Sequence, residues 1–293
     1  MKKLTAAMLI ITAAFFLGLG VVSKPLMADT SENDKNHRDV YLNIMTINKP
    51  QYEMIKKLCG DKHNVQYMFN EAKDVKEYKY DKGIINNISN MDLFFYSGSY
   101  YNNTPINNMV SELDKSSLGV INLSRGIREL QTEVDNKTVT NPYYYLGIPE
   151  YKIMIYNAKS ALQEKDPANR NFYEENYNNL VKQLDEIQKN FEKNSSEYKK
   201  FKFILEDKSL EYFFRGVGLN VEVLPKDKSL EDYIKDNKLK ASDVVFVQNE
   251  YGKDIKLPKE VKNIKLNIFD DNKEFIDIIQ SNIEKIQTLV KNK

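Results

Sequence analysis

Residues 166–193, DPANRNFYEENYNNLVKQLDEIQKNFEK, carry the strongest local signal in the sequence. Asp166 and Pro167 form a cap-and-proline pair typical of a helix start, and no glycine or further proline follows before Lys193. Apolar side chains then recur at spacings of three and four residues, as they do on one face of a helix. The pattern predicts one continuous helix of roughly 40 Å, since each residue adds about 1.5 Å. The apolar residues are Phe172, Tyr173, Tyr177, Leu180, Val181, Leu184, Ile187 and Phe191.

The residues alone leave two interpretations of this helix open. A helix of that length spans a whole lobe and can join two folded halves. Coiled-coil dimerisation is the alternative, but the apolar stripe lasts fewer than four heptads and contains aromatic rings, whereas coiled-coil seams use aliphatic side chains. We therefore expect a rigid linker within a monomer.

Short apolar runs alternate with helical patterns on both sides of the predicted helix. This alternation indicates βα units and mostly parallel sheets. The predicted fold class is α/β, with two lobes, each a mostly parallel sheet flanked by helices, joined by one long rigid linker helix. Strands are predicted at residues 40–45, 65–69, 93–96, 118–123, 201–205, 221–224, 244–247 and 264–268. Helices are predicted at residues 50–59, 210–214, 229–235 and 273–291, with another beginning at Thr104 and Pro105.

The first 28 residues have the composition of an export signal. Lys2 and Lys3 precede an uncharged apolar stretch at residues 4–22, and Ala28 is a small residue suited to cleavage. That stretch approaches the length that spans a bilayer, so an uncleaved anchor stays open as well. The expected organisation is a signal peptide or anchor at 1–28, a flexible tether at 29–38, an N-terminal lobe at 39–165, the linker helix at 166–194 and a C-terminal lobe at 195–293.

Composition excludes several classes of function. Lys plus Arg number 43 against 42 for Asp plus Glu, so there is no positive excess for binding nucleic acid. Cys59 is the single cysteine, and His37 and His63 are the two histidines; an internal disulfide, a CxxC site and a three-histidine zinc site are excluded. Because no cysteine lies near Ala28, we expect an exported protein that is anchored at the extracellular face of the membrane or secreted, and that is not a lipoprotein.

Catalytic motifs are absent from the sequence. It contains no GxSxG, no GxxxxGK[ST], no HExxH and no EF-hand loop. Export and two lobes without a catalytic constellation favour a binding protein over an enzyme.

Several segments resemble the solute-binding proteins of bacterial ABC importers for zinc and manganese. Asn141-Pro142 resembles the family's Asp-Pro before a metal-binding histidine. Residues 162–188 are very similar to its linker helix, and this is the most specific match. Further similar segments are residues 60–65, residues 91–98 (MDLFFYSG against the family's ADLIFYNG) and residues 201–218. The resemblance implies two α/β lobes that bind one divalent cation between them and deliver it to a membrane permease driven by a cytoplasmic ATPase.

Carried over residue by residue, the resemblance implies an altered metal site. The positions of the family's two histidine ligands are Lys76 and Tyr143, and its two second-lobe ligands fall on Asp207 and Asp271. Glu206 and Asp270 are adjacent, secondary candidates. Zinc favours imidazole and thiolate, whereas carboxylates suit manganese. We therefore expect one bound Mn²⁺ or Zn²⁺, with weakened zinc affinity.

Lys76 offers a second source of positive charge for this site. Two carboxylates without a cation repel each other, and we expect the Lys76 ammonium to lie between Asp207 and Asp271 in the closed, metal-free form. For single residues, the alternatives are helix capping by Asp270 and Asp271, packing by Tyr143 to Tyr145, and an ordinary surface position for Lys76. We expect His63 to be a solvated loop residue. For the whole chain, the alternatives are a metal-free scaffold, adhesin or accessory protein, or a binder of a small organic solute.

Overall fold

The computed structural model describes residues 40–70, 78–98, 105–134, 137–252, 255–270 and 272–291. The expected export signal and tether, and also Lys76, Thr104 and Asp271, lie outside the described residues. Within the described ranges, no helix has both the length and the hydropathy needed to cross a bilayer.

The N-terminal half is built on a parallel sheet. Its strands are β1 (Asn43–Asn48), β2 (Asn64–Phe69), β3 (Leu93–Tyr96) and β4 (Gly119–Asn122), and its helices are α1 (Lys49–Cys59), α2 (Lys82–Ser89) and α3 (Pro105–Glu112). The strand order is β2-β1-β3-β4. An antiparallel hairpin follows, formed by β5 (Gln131–Val134) and β6 (Lys137–Thr140).

Two long helices come next along the chain, α4 (Ile148–Lys165) and α5 (Arg170–Glu192). Ion pairs join Lys152 to Asp185 and Lys159 to Glu174. Since the residue number falls on α5 as it rises on α4, the two helices are antiparallel. The helix predicted from Pro167 is observed, but it begins with the 3-10 turn Pro167–Asn169.

Helix α4 is not among the helices predicted from the sequence. Its buried face repeats at spacings of three and four residues, through Tyr151, Met154, Ile155, Ala158 and Leu162. Isoleucine and tyrosine also occur on its outer face, so residues 152–156 (KIMIY) read as a short apolar run, in which strand and helix cannot be distinguished by periodicity.

The C-terminal half repeats the topology of the N-terminal half. It contains α6 (Ser195–Tyr198), β7 (Lys202–Leu205), α7 (Glu211–Gly216), β8 (Val221–Val223), α8 (Leu230–Asp236), β9 (Val244–Asn249), β10 (Lys262–Leu266) and α9 (Phe275–Lys291). The strand order is β10-β9-β7-β8, again all parallel. Counted from the first strand of each half, both sheets therefore have the order 2-1-3-4, although the sequence shows no repeat.

One apolar core runs through both halves. Ile44 and Phe95 of the first sheet, Leu184 of α5, and Phe203 and Val245 of the second sheet belong to the same buried cluster. Helix α5 contacts α1 of the N-terminal half and α9 of the C-terminal half. The predicted α/β class, with two helix-flanked parallel sheets, is confirmed.

The sheet order also determines where a ligand can bind. In open parallel sheets, ligands bind outside the carboxyl ends of the strands, where the strand order reverses. These points lie between β1 and β3 and between β7 and β9. Candidate site residues are therefore those that follow these strands and their neighbours.

Candidate functional site

Asp207 lies directly beyond the carboxyl end of β7 and is exposed to solvent. Its Oδ1 accepts a hydrogen bond from the backbone N–H of Ser209 at 2.7 Å, and its Oδ2 accepts one from Nδ2 of Asn249 at 3.2 Å. Asn249 ends β9. A carboxylate has about four lone-pair positions, so these two bonds orient Asp207 and leave it capacity for a cation.

The segment of Asn141 and Tyr143 lies beside the turn that carries Asp207. Nδ2 of Asn141 donates to the backbone carbonyl of Lys208 at 2.7 Å, and its Oδ1 accepts from the backbone N–H of Tyr143 at 3.0 Å. The half-buried ring of Tyr143 packs edge-on against Tyr145. Two positions singled out in the sequence, Tyr143 and Asp207, therefore lie on neighbouring segments.

Asp270 follows β10 and remains partly exposed. Its Oδ1 accepts from the backbone N–H of Asn272 at 2.9 Å, and its Oδ2 lies 3.4 Å from Nζ of Lys273. The hydrogen bond from Asn272 lowers the pKa of Asp270, which keeps this carboxylate ionised. The alternative that Asp270 caps the last helix is wrong, because the backbone N–H of Phe275, where α9 begins, donates to Glu53 instead.

Two tyrosine hydroxyls hold the backbone just before Asp270. Tyr145 donates to the carbonyl of Ile268 at 3.2 Å, and Tyr251 donates to the carbonyl of Phe269 at 2.9 Å. The Asp207 turn and the Asp270 loop are called the acidic loops below. Each is held by one side chain that precedes α4, Asn141 or Tyr145, and by one at or just after the end of β9, Asn249 or Tyr251. Tyr145 is expected from the sequence only as a packing residue, and Tyr251 is not singled out there. The available signal for Tyr251 was its position shortly after a predicted strand.

Glu206 occupies a more enclosed position than Asp207. Its Oε2 is shielded from solvent and has no hydrogen-bond partner within the described part of the chain. A Cβ placed on Gly252 would lie 2.6 Å from that oxygen, so Glu206 is packed beside the Gly252 turn. Among residues 40–291 as far as they are described, no three His, Cys, Asp or Glu side chains converge closely enough to hold a metal. Lys76 and Asp271 are not described, so the ion pair expected of Lys76 with Asp207 or Asp271 and metal ligation by Asp271 stay predictions.

A lysine not singled out in the sequence faces the Asp270 loop. Nζ of Lys49, the first residue of α1, lies 5.9 Å from the ring centroid of Phe269 and 4.0 Å from Oε1 of Glu53. Its charge contributes to the lowered pKa of Asp270, after the larger effects of Asn272 and Lys273. The N-terminal half therefore places an ammonium group close to a carboxylate of the C-terminal half.

His63 is not a solvated loop residue; that expectation is wrong. It is buried, with its Nε2 at 2.5 Å from the hydroxyl of Tyr173, while its Nδ1 accepts from the backbone N–H of Leu42 at 3.4 Å. The Tyr173 hydroxyl in turn donates to Oδ2 of Asp166 at 2.5 Å. Burial lowers the pKa of His63, which keeps the imidazole neutral at pH 7. Both ring nitrogens are engaged, so His63 joins the N-terminal half to the linker helices and is not a metal ligand in this arrangement.

Comparison with known proteins places these features among metal-uptake proteins. The chain is 22% identical to the "High-affinity zinc uptake system protein ZnuA" of Bacillus subtilis (strain 168), over 98% of each chain. It is 27% identical to the "Manganese ABC transporter substrate-binding lipoprotein PsaA" of Streptococcus pneumoniae, over 75% of this chain and 70% of that one. The crystal structure of the metal-dependent lipoprotein YcdH from Bacillus subtilis superposes with a TM-score of 0.67 at 19% identity, covering 84% of this chain and 98% of that one.

These names correct the expected localisation. We expected that the protein is not a lipoprotein, because no cysteine lies near Ala28. The manganese-binding relative and the structural neighbour are both named lipoproteins, so that expectation is wrong. The absence of a cysteine near Ala28 therefore does not exclude the lipoprotein class to which these relatives belong.

The match to a family is extensive. The family model described as "Zinc-uptake complex component A periplasmic" matches residues 44–289. That range begins in β1 and ends in α9, so it includes both parallel sheets, the two linker helices, and the loops of Asp207 and Asp270. The chain belongs to the ZnuA family of zinc-uptake components.

Proposed function

We propose that this chain is the substrate-binding component of an ABC importer and that its substrate is a divalent metal ion. It is a binding protein and not an enzyme, and it acts as a monomer that delivers the ion to a membrane permease driven by a cytoplasmic ATPase. Family membership supports the class of function, and the arrangement of the acidic loops supports the ligand.

The observation that carries this proposal is the paired support of the two acidic loops. Asn141 and Asn249 hold the Asp207 turn, through Lys208 and through the carboxylate itself. The tyrosine hydroxyls described above hold the Asp270 loop at Ile268 and Phe269. A hydrogen bond to a carboxylate, such as that of Asn249 to Asp207, is typical of the shell that surrounds metal ligands. The other three side chains fix the backbone beside the two carboxylates.

The donor chemistry favours manganese over zinc. Asp207, Asp270 and Asp271 supply oxygen ligands, which suit Mn²⁺, whereas zinc prefers imidazole and thiolate. Tyr143, which the resemblance aligns with a family histidine, adds a further oxygen at most. We therefore expect zinc to bind more weakly than at sites with three imidazoles.

Native mass spectrometry of protein produced in manganese- or zinc-supplemented medium tests the proposal. We expect one bound ion per chain, lost in Asp207→Asn and retained in Asp227→Asn, an exposed aspartate elsewhere in the C-terminal half. A wild-type chain that carries no metal after supplementation contradicts the proposal. Equal loading of the two variants contradicts the role of Asp207.

A further inference from the structure

The last helix is capped by a side chain from the other half of the protein. The first backbone N–H groups of a helix have no partner within the helix and carry partial positive charge. At the start of α9, the N–H of Phe275 donates to Oε2 of Glu53 on α1 at 3.0 Å. The Glu53 side chain is only 15% exposed. A residue 222 positions away in sequence therefore supplies the acceptor that a local cap residue usually provides.

A second contact lies one helical turn further along α1. Nζ of Lys57 lies 2.5 Å from Oε2 of Glu274. Because Glu53 and Lys57 are four residues apart, they lie on the same face of α1. They bind two consecutive residues, Phe275 and Glu274, so α1 holds the start of α9 at two adjacent points.

The ring of Phe275 secures the same point from the interior. It stacks on Tyr151 of α4, with centroids 4.7 Å apart, and it meets Tyr145 edge-on at 5.2 Å. Tyr251 holds the other end of the loop, at Phe269. The loop with Asp270 is thus anchored on one side at Phe269 and on the other at Phe275.

A surface pocket of about 330 Å³ borders these two contacts and is lined in part by Glu53, Lys57 and Glu274. Because α1 belongs to the N-terminal half and α9 to the C-terminal half, the two contacts break whenever the halves separate at this edge.

We propose that Glu53 is a positioning residue for the metal site: by capping α9 from α1, it couples the N-terminal half to the loop of Asp270 and lengthens the residence of the bound cation. This role rests on the proposed function. Glu53 does not bind the ion; it fixes the loop whose carboxylate would.

Three variants of the full chain test this role. Glu53→Ala removes the acceptor, Glu53→Gln keeps an acceptor oxygen without the charge, and Glu284→Ala changes an exposed carboxylate on α9 as the control. Two quantities are measured: amide hydrogen exchange across residues 268–280 in metal-free protein, and the rate at which Mn²⁺ leaves after a chelator is added.

We expect faster exchange in Glu53→Ala and an Mn²⁺ dissociation rate about tenfold higher, since the hydrogen bond to a charged acceptor is lost. Glu53→Gln should restore part of both, and Glu284→Ala should match the wild type. Equal dissociation rates for the wild type and Glu53→Ala overturn this role alone, even if stability falls. A wild-type chain that binds no Mn²⁺ overturns the proposed function, and this role with it.

Discussion

Replacement of Tyr173 by phenylalanine tests the buried joint between the N-terminal half and the linker helices. The hydroxyl of Tyr173 accepts from Nε2 of His63 and donates to Oδ2 of Asp166, at 2.5 Å in each case. Both side-chain partners are completely buried. Tyr173→Phe keeps the ring and removes only the oxygen atom that links them.

The expected loss of stability follows from the groups left behind. A hydrogen bond to a charged group contributes about 1.5–3 kcal/mol, and a buried donor left without a partner costs about 1 kcal/mol more. Oδ1 of Asp166 already lacks a partner among the described residues, and Oδ2 would keep Asn169 and only a longer contact of 3.5 Å with Nε2 of His63. We expect Tyr173→Phe to lower the free energy of unfolding by about 3 kcal/mol, which corresponds to a fall in Tm of roughly 6–12 °C for a chain of this size.

Urea unfolding at pH 7.5, followed by circular dichroism, measures this change. The matched control is Tyr177→Phe, one turn further along α5, where the half-buried ring packs against Tyr156. We expect the control to stay within about 0.5 kcal/mol of the wild type. If Tyr173→Phe is no less stable than Tyr177→Phe, the hydroxyl does not join these helices to the N-terminal half.

Two further predictions concern the N-terminal half. Burial lowers the pKa of His63 in the folded state. The contribution of the neutral imidazole to the free energy of unfolding is therefore complete above the unfolded pKa of about 6.5 and is lost as the pH falls below that value. The stability difference between the wild type and His63→Gln should therefore shrink from pH 7.5 to pH 5 in urea titrations, and a constant difference would rule this out. Gly98 has φ +49°, and a Cβ there would lie 2.5 Å from Oη of Tyr144 and 2.7 Å from Oγ of Ser124. Gly98→Ala should therefore lower the free energy of unfolding by about 2 kcal/mol. A change below about 0.5 kcal/mol in the same urea titration would contradict this.

Local pattern accounts for most of the regular structure. Strand β3 was predicted at residues 93–96 and is observed as Leu93–Tyr96, because its apolar run is buried on both faces. The helix predicted at residues 229–235 is also observed, as Leu230–Asp236, and Ser229 caps it, with the backbone N–H of Asp232 donating to the serine Oγ at 3.1 Å. Where a side chain bonds only within its own turn, as Ser229 does, the sequence predicts the contact.

Contacts between distant residues could not be predicted in this way. His63 and Tyr173 are 110 positions apart and Glu53 and Phe275 are 222 apart, and nothing in the pattern around either partner specifies the other. The predicted cap at Asp166 shows the same limit. Its carboxylate faces Tyr173 and Asn169 and makes no capping bond to a backbone N–H.

The candidate site was predictable only as positions along the chain. The resemblance identified Asp207 and Tyr143, but their support by Asn249 and Tyr145 depends on how the two sheets meet. Lys49 shows most clearly that a contact of the site can depend on the fold and not on the local sequence. Its place near the Asp270 loop follows from the position of α1 against the start of α9, which no local pattern encodes.

Crystals grown with manganese test the central claim most directly, through the anomalous difference map. The account predicts one strong peak per chain between the loops of Asp207 and Asp270, in contact with the carboxylate of Asp207 and absent from crystals of Asp207→Asn. A map without a peak at these loops, or with its only strong peak elsewhere on the protein, would contradict the account.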